Sequence, residues 1–403
     1  MLIIGFIMRV LFYCGEFAPE GKTGAIRPSK LAKYFLKFGL NVSVITKETD
    51  NNVHQDLLKP LSEVDIERVK IRRFLPINDD GFWFFLYSFK LLVNKVKNLK
   101  PDYIFVSVPV FLPLISAAIV SKIFGVNLII DYRDLWAADP YKPKSLKDRC
   151  LRGLGKIIEP WCMKSATIVS FISDNMRLDQ EKMFGKINNA VVISTGFDSD
   201  DMNGLTYNPN DVSILFEPGV RYYSHIGMLD WDMNINELIL FIKKYKSSMV
   251  SNVKFLFVGG KNELIKDAFK NESVADVCIF IDTVSKTEAL LLTKISSGVI
   301  ILGSDSAQRL NRKVFESIAC NDNVFYFGNK KSPTAKVLME NNCSYVFDKS
   351  VDMEVVTSTF LEFLERNNNR TSIPVALNKY DKPDLAKQFI KLMEDSNEHH
   401  SHI

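Results

Sequence analysis

Short apolar runs that alternate with glycine-containing loops and amphipathic segments constrain the fold of this 403-residue chain more than any other feature. The first such unit consists of an apolar run at 8–14, a loop with Gly21 and Gly24, a helical pattern at 27–38 and a second apolar run at 41–46. This order predicts a βαβ unit, whose loop faces the ligand-binding edge of a parallel sheet. The same order restarts at 221–227 and continues through the second half of the chain. The sequence therefore predicts an α/β protein with two Rossmann-like domains.

The composition is typical of a globular protein. Hydrophobic residues make up 47% of the chain and charged residues 24%, and 403 residues are enough for two cores. The net charge of +4 is too small to favour a nucleic-acid partner. The six cysteines show neither the paired spacing of disulfides nor the spacing of a metal site, which indicates a reducing compartment. No apolar run reaches the roughly 18–20 residues of a membrane span, and the segment before Met8 lacks the basic leader of a signal peptide, so we expect a cytoplasmic protein.

The run 311–327 contains the clearest indication of a ligand. Its apolar residues share one helical face, and a strand pattern follows at 324–327. Arg312 and Lys313 then lie in the first turn of the helix, with Glu316 one turn further on. Cations beside a helix N-terminus suit phosphate oxygens, and a carboxylate suits a pair of sugar hydroxyls. The run predicts a nucleotide site; the alternative is an amphipathic helix with a solvated charged face.

In the first half, the apolar run 128–132 leads into a second set of candidate residues. Asp131, Arg133 and Asp134 are placed at the carboxyl end of the predicted strand, where open α/β sheets bind ligands. Arg133 is predicted to bind an acceptor phosphate or a leaving group, and Asp134 to orient or deprotonate an acceptor hydroxyl. The alternative is that these charges pair with one another as a structural clip.

Two glycines and further cations complete the candidate site. Gly227 ends a predicted strand and is expected to let the backbone approach a diphosphate closely. Gly24 lies in the first loop and is assigned to the same ligand, the alternative being a loop that needs a positive φ at Gly21 or Gly24. Because Met228 follows Gly227 with two acids close behind, the positive charge for the diphosphate is expected from other residues, namely Lys261, Arg309, Arg312 and Lys313.

Several of these segments resemble the family 4-type glycosyltransferases. Residues 312–325 read R-K-V-F-E-S-I-A-C-N-D-N-V-F and are similar to the donor-site helix of that family, approximately P-x-K-x-x-E-x-x-A-x-G-x-P-V. Residues 8–24 resemble the opening of its members. Residues 131–136, D-Y-R-D-L-W, resemble the R-D-x-W segment of a bacterial polysaccharide branch. The resemblance extends over nearly the whole chain, from Met8 to about Met393.

The resemblance implies the GT-B architecture, in which two Rossmann-like domains face each other across a cleft. It places an acceptor domain at 1–198, a nucleotide-sugar donor domain at 199–375 and a helix at 376–394 that crosses back to the first domain. The polar tail at 395–403 is expected to be disordered.

The resemblance also implies an activity. A sugar would pass from a nucleotide-sugar donor to a glycan or lipid-linked acceptor, with retention of configuration and without a metal or another cofactor. The expected setting is bacterial surface polysaccharide synthesis, in the cytoplasm or on the inner face of the plasma membrane.

The departures from the family pattern leave other functions open. Many members carry an acid where this chain has Arg309. The family usually has a cation just after the glycine, where this chain has Met228 followed by the acid Asp230. These departures are consistent with an inactive transferase-like subunit or scaffold. A sugar-nucleotide epimerase can share the architecture but requires acid/base groups near the donor sugar. A nicotinamide-dependent dehydrogenase is disfavoured, because the first loop lacks the spaced glycines and Lys47 stands where the second strand should end in an acid.

Three further segments have a structural interpretation. The aromatic and basic residues at 82–99 predict a helix packed on the sheet, with an anionic membrane surface as the alternative contact. The D-x-D pattern within 198–201 is interpreted as part of a linker and not as a metal site. His225 lies inside a predicted strand and is interpreted as a core residue with satisfied hydrogen bonds and not as a catalyst.

Overall fold

The computed structural model describes residues 7–50, 55–75, 79–139, 145–203, 205–206, 208–230, 232–248, 252–260, 263–341, 344–364 and 371–400. The chain divides into two compact units. Unit 1 comprises Met1–Thr195 and Lys382–Ile403, and unit 2 comprises Gly196–Asp381. Each unit contains a parallel sheet of its own.

The sheet of unit 1 has seven parallel strands in the order β3-β2-β1-β4-β5-β6-β7. They are β1 (Arg9–Cys14), β2 (Asn41–Lys47), β3 (Asp65–Val69), β4 (Tyr103–Val108), β5 (Asn127–Tyr132), β6 (Ile168–Phe171) and β7 (Ala190–Val192). The central strands are buried along almost their whole length, as expected of strands covered on both faces. The strand order reverses between β1 and β4, which is the switch point where such sheets bind ligands.

Helices cover both faces of this sheet. They are α1 (Thr23–Lys37), α2 (Asp80–Leu99), α3 (Pro113–Phe124), α4 (Leu146–Ser165), α5 (Asp174–Phe184) and a C-terminal helix (Lys382–His400). One core contains residues of α2, α3 and α4, and the other contains residues of α1 and the C-terminal helix. A short 3₁₀ helix, Gln55–Leu61, precedes β3.

The sheet of unit 2 has six parallel strands in the order β10-β9-β8-β11-β12-β13, with its switch point between β8 and β11. They are β8 (Arg221–Ile226), β9 (Val253–Val258), β10 (Cys278–Ile281), β11 (Gly298–Leu302), β12 (Val324–Phe327) and β13 (Ser344–Phe347). The helices are α6 (Ser199–Met202), α7 (Ile235–Ser247), α8 (Glu263–Asn271), α9 (Lys286–Ile295), α10 (Lys313–Cys320), α11 (Pro333–Glu340) and α12 (Met353–Phe363). The 3₁₀ helices are Pro209–Asp211, Ala275–Val277 and Val375–Tyr380.

Many of the 29 phenylalanines pack inside the units. In unit 2, the ring of Phe360 lies 4.9 Å from that of Phe241 and 5.2 Å from that of Phe325. The predicted helix at 82–99 is confirmed as α2, and it packs on the sheet through Phe84, Leu92 and Val96. Among the described residues, no helix combines the length and the apolar character needed to cross a membrane.

Three expectations are wrong at the level of single elements. Helix α1 begins at Thr23, so Gly24 lies inside its first turn, and neither Gly21 nor Gly24 has a positive φ. The C-terminal helix continues to His400, so the disorder expected from Asp395 does not apply to 395–400. Residues 199–202 form the short helix α6 near the start of unit 2, where the sequence predicts a turn-rich linker segment.

Candidate functional site

The switch point of unit 2 begins with two closely packed glycine turns. Gly227 follows β8 with a φ of 146°, and its N–H donates to the Val258 carbonyl at 2.7 Å. A Cβ on Gly259, which has a φ of 115°, would lie 3.1 Å from the Gly227 carbonyl carbon. Glycine at both positions therefore allows the two turns to pack together. The contact of Gly227 with a diphosphate stays a prediction.

The predicted helix at the charged run is confirmed as α10. Asn311 ties its start to the end of β11, because the Asn311 amide donates to the Leu302 carbonyl at 3.3 Å and its oxygen accepts from the Lys313 N–H at 3.0 Å. Arg312 and Lys313 thus lie at the N-terminus of α10, beside the switch point. This placement suits an anion, since the helix N-terminus and both side chains are positive.

Glu316 lies one turn into α10 with its side chain 20% exposed. The Lys313 ammonium is 3.0 Å from one carboxylate oxygen, and the Lys286 ammonium is 3.8 Å from the other. Burial by itself would raise the pKa of Glu316, but the charges of Lys313, Lys286 and Arg312 outweigh it and lower the pKa to about 2. The carboxylate is therefore ionised at neutral pH and can accept hydrogen bonds only.

Lys286 was not predicted from the sequence as part of the site. It begins α9 directly after Ser285, whose hydroxyl caps the helix by accepting from the Glu288 N–H. Its ammonium pairs with Asp201 as well as with Glu316. The sequence contains one indication of this role, namely a lysine at the start of a helix that follows a strand. The same pattern predicts the role of Lys313.

The D-x-D pattern has structural partners within unit 2. Asp198 caps α6 by accepting from the Asp200 N–H at 3.1 Å, and Asp201 pairs with Lys286. Among the residues that the structure describes, no group of three or more His, Cys, Asp or Glu side chains is arranged to hold a metal ion. Metal independence of the reaction stays a prediction.

Arg309 forms an ion pair with Asp232, and both side chains are largely exposed. Arg309 stands where the glycosyltransferase family that the chain resembles has an acid, and Asp232 is one of the two acids that follow Gly227. Two departures from the family pattern thus compensate each other in charge. The role of Arg309 as a donor cation stays a prediction, and Lys261 lies outside the described residues.

His225 is buried, as predicted for a core residue, since it is only 4% exposed. Its Nδ1 lies 3.0 Å from the Ile300 carbonyl, whereas Nε2 has no hydrogen-bond partner among the described residues. Burial lowers the pKa of His225 to about 4, and the nearby charge of Lys313 acts in the same direction. The ring is neutral at physiological pH and donates through Nδ1.

In unit 1, Arg133 and Gly24 come together at the carboxyl edge of the sheet. The Arg133 guanidinium donates to the Val108 carbonyl at 2.8 Å and to the Gly24 carbonyl at 2.6 Å, and it lies 3.8 Å from Glu16. A Cβ on Gly24 would lie only 1.6 Å from a Glu16 carboxylate oxygen. In this structure both residues hold the start of α1 in place, so their contacts with an acceptor and a donor stay predictions.

Asp131 and Asp134 differ completely in their surroundings. Asp131 is fully buried and accepts two hydrogen bonds from Arg27, each 2.9 Å long. Asp131 is therefore held by a structural ion pair, but its partner is Arg27 and not one of the charges of the predicted clip. Asp134 is exposed in the loop after β5. Glu159 holds this loop by accepting from the Ala137 N–H at 2.8 Å.

No protein-family model matches the sequence, and no curated protein sequence matches it either. Solved structures share its fold. The Anabaena protein HepE in complex with UDP is 15% identical, with a TM-score of 0.69 over 96% of this chain and 100% of that chain. WaaB, described as a lipopolysaccharide outer core galactosyltransferase, is 10% identical in its apo form, with a TM-score of 0.65 over 96% and 99%.

An epimerase has the same fold. The UDP-GlcNAc 2-epimerase from Neisseria meningitidis, bound to UDP-GlcNAc, is 11% identical, with a TM-score of 0.64 over 96% of this chain and 100% of that chain. These similarities confirm the predicted fold, two parallel-sheet Rossmann-like units as in GT-B glycosyltransferases. The assignment to family 4 and the retaining mechanism stay predictions.

Proposed function

We propose that the protein is a glycosyltransferase that uses a nucleotide-sugar donor bound by unit 2. The observation that carries the proposal is the ionised Glu316 between two lysines, one turn inside a helix that starts beside the switch point. Parallel sheets bind ligands at this point. The carboxylate is suited to the two ribose hydroxyls, and the α10 N-terminus with Arg312 and Lys313 is suited to the diphosphate.

The same groups explain how the reaction would proceed. As the bond between the sugar and the diphosphate breaks, negative charge grows on the departing diphosphate. Arg312, Lys313 and the α10 N-terminus are already positioned to stabilise this charge, which is electrostatic catalysis by preorganised groups. In this account the donor needs no metal, the configuration is retained, and no cofactor takes part.

Unit 1 is proposed to bind the acceptor. Asp134 is exposed at the carboxyl edge of the sheet, where it can receive the proton of an acceptor hydroxyl. The resemblance of 131–136 to a bacterial polysaccharide branch supports a lipid-linked glycan as acceptor. The fold shared with WaaB is consistent with surface polysaccharide synthesis.

The donor is tested by thermal shift and calorimetry with UDP-, GDP-, TDP- and CMP-sugars in the absence of metal. One nucleotide class is expected to raise the melting temperature. Glu316→Gln should weaken its binding by about 10–100-fold, because hydrogen bonds to a charged group contribute about 1.5–3 kcal/mol. Glu340→Gln is the matched control, since Glu340 also pairs with a lysine of unit 2, Lys379 at 2.9 Å. If no nucleotide sugar binds, the protein is an inactive transferase-like subunit and the proposal fails.

The alternative is a sugar-nucleotide epimerase, because the Neisseria meningitidis epimerase shares the fold. An epimerase would convert the bound donor into its epimer without an acceptor. NMR of the donor after incubation distinguishes the two: slow release of free sugar supports the transferase, and an epimerised nucleotide sugar supports the alternative.

A further inference from the structure

Helix α4 carries a second apolar face that nothing in the described structure covers. Its inner face is buried in unit 1 through Gly155, Glu159, Cys162 and Met163. Five other residues recur at the three- and four-residue spacing of one helical stripe and are exposed to solvent, namely Leu146, Cys150, Leu154, Ile157 and Trp161. The four large ones among them are between 38% and 76% exposed. By spacing, the stripe lies on the side of the helix opposite Glu159, which is fully buried.

The exposed charges of α4 itself all have one sign, and one of them, Lys147, pairs with Asp79 at 3.3 Å. The exposed charged residues of α4 are basic, namely Lys147, Arg149, Lys156 and Lys164. Of the two acids of the helix, Asp148 is half-buried and Glu159 is fully buried. The neighbouring helix α3 adds the exposed pair Lys122 and Ile123 near its C-terminus.

An exposed apolar stripe with basic flanks fits the surface of an anionic membrane better than a soluble partner. Apolar side chains and a tryptophan enter the boundary between headgroups and acyl chains, while lysine and arginine side chains reach the headgroup phosphates. A protein partner would need acidic residues matched to this one helix, whereas any anionic bilayer supplies the complementary charge.

We propose that α4 docks unit 1 onto an anionic lipid bilayer, lying in the plane of the interface with Leu154, Ile157 and Trp161 inserted. The docking face is α4 and not α2, whose one large exposed apolar side chain is Leu86. The proposal does not depend on the transferase activity, although a lipid-linked acceptor would be reached from such a surface.

The test is sedimentation of the full chain with vesicles of phosphatidylcholine alone or mixed with phosphatidylglycerol. The protein is expected to bind the mixed vesicles at low salt, at least tenfold more tightly than the neutral ones, and to dissociate as salt is raised. Ile157→Asp combined with Trp161→Ser should abolish binding, whereas Leu86→Asp is the matched control in α2 and should bind normally. Melting temperatures and nucleotide binding establish that each variant is folded, so a failure of docking is separable from a failure of the proposed function.

A second measurement reports the insertion itself. Trp161 is 38% exposed, Trp83 and Trp136 are buried, and Trp231 lies outside the described residues. Vesicle binding should therefore shift the tryptophan emission to shorter wavelength in the wild type and much less in Trp161→Phe. The proposal is overturned if the wild type binds neither vesicle, if the α4 variant binds as well as the wild type, or if Leu86→Asp alone removes binding. It is also overturned if the α4 substitutions convert a dimer into a monomer in the absence of lipid.

Discussion

Two carboxylates with a lowered pKa differ in what surrounds them. Asp131 is fully buried and accepts hydrogen bonds from Arg27, Ser107 and Ser170, which leaves it no access to solvent. Glu316 keeps a solvent-exposed edge, and its partners are lysines, whose flexible side chains can turn towards a phosphate. We therefore expect Asp131 to control stability and Glu316 to control ligand affinity.

Replacing Arg27 by methionine is expected to destabilise unit 1 by about 3–5 kcal/mol, because the buried Asp131 carboxylate loses its cation. Denaturant unfolding measures the loss. Burial raises the pKa of Asp131, but Arg27 and the hydrogen bonds outweigh it and lower the pKa in the wild type. This stability is present above the unfolded value of about 3.9 and is lost as pH falls through the lower folded pKa.

The sign of the pH dependence reverses in the Arg27→Met protein. Without the cation, burial dominates and the folded pKa of Asp131 rises above the unfolded value, so stability falls as pH rises through that folded pKa. The control is Arg177→Met, which breaks partly exposed pairs with Asp174 at 2.8 Å and Glu181 at 2.6 Å. Its cost should be about 1 kcal/mol or less. Equal losses for the two variants would contradict the role given to Arg27.

At the scale of elements, the C-terminal helix is essential to the core of unit 1. Phe389 is fully buried, and its ring lies 5.3 Å from that of Phe105 and 6.4 Å from that of Phe35. Phe389→Ala is expected to reduce the free energy of unfolding by about 3–5 kcal/mol. Lys391→Ala, on the exposed side of the same helix, should change it by about 0.5 kcal/mol or less. A small effect of Phe389→Ala would mean that this helix contributes little to the core.

The sequence predicted the buried strands better than the helix ends. Strand β12 has the predicted bounds, because a short apolar run between turn residues has few other solutions. The start of α1 was placed too late, since glycine normally argues against a helix. Glycine is required at position 24 because a side chain would collide with Glu16, and not because the backbone there needs conformational freedom.

The end of the C-terminal helix depends on contacts that no local pattern contains. Its apolar spacing ends near Met393. At that point the Tyr103 hydroxyl oxygen lies 2.6 Å from the Met393 carbonyl oxygen and 2.9 Å from the side-chain oxygen of Asn397. Tyr103 lies in β4, far away in sequence, so a window of the tail alone suggests disorder.

The same limit applies to the site. Arg312, Lys313 and Glu316 could be grouped from the sequence because they share one helix. The pairing of Lys286 with Asp201 and Glu316 could not, since the fold joins three separate segments. For the same reason the ion pair of Arg309 with Asp232 could not be predicted.

At the scale of the whole molecule, the two ends of unit 2 meet. The Phe197 N–H donates to the Tyr380 carbonyl at 3.1 Å, and the Ser199 N–H donates to the Asp381 side chain at 3.0 Å. Unit 2 is therefore a continuous segment closed on itself, with its own sheet and core. Unit 1 is discontinuous, and its core includes Leu385, Phe389 and Met393 from the C-terminal helix.

This difference predicts that the two units behave differently when they are separated. A fragment of residues 196–381 is expected to unfold in a single cooperative transition and to bind the same nucleotide as the full chain, because all the residues of the α10 site lie within it. A fragment of residues 1–195 lacks the helix that covers α1 and should expose apolar surface and aggregate. Adding a peptide of residues 382–403 should restore its cooperative unfolding. Circular dichroism and calorimetry on the fragments measure both effects, and a 196–381 fragment that folds without binding the nucleotide would show that unit 2 alone does not form the donor site.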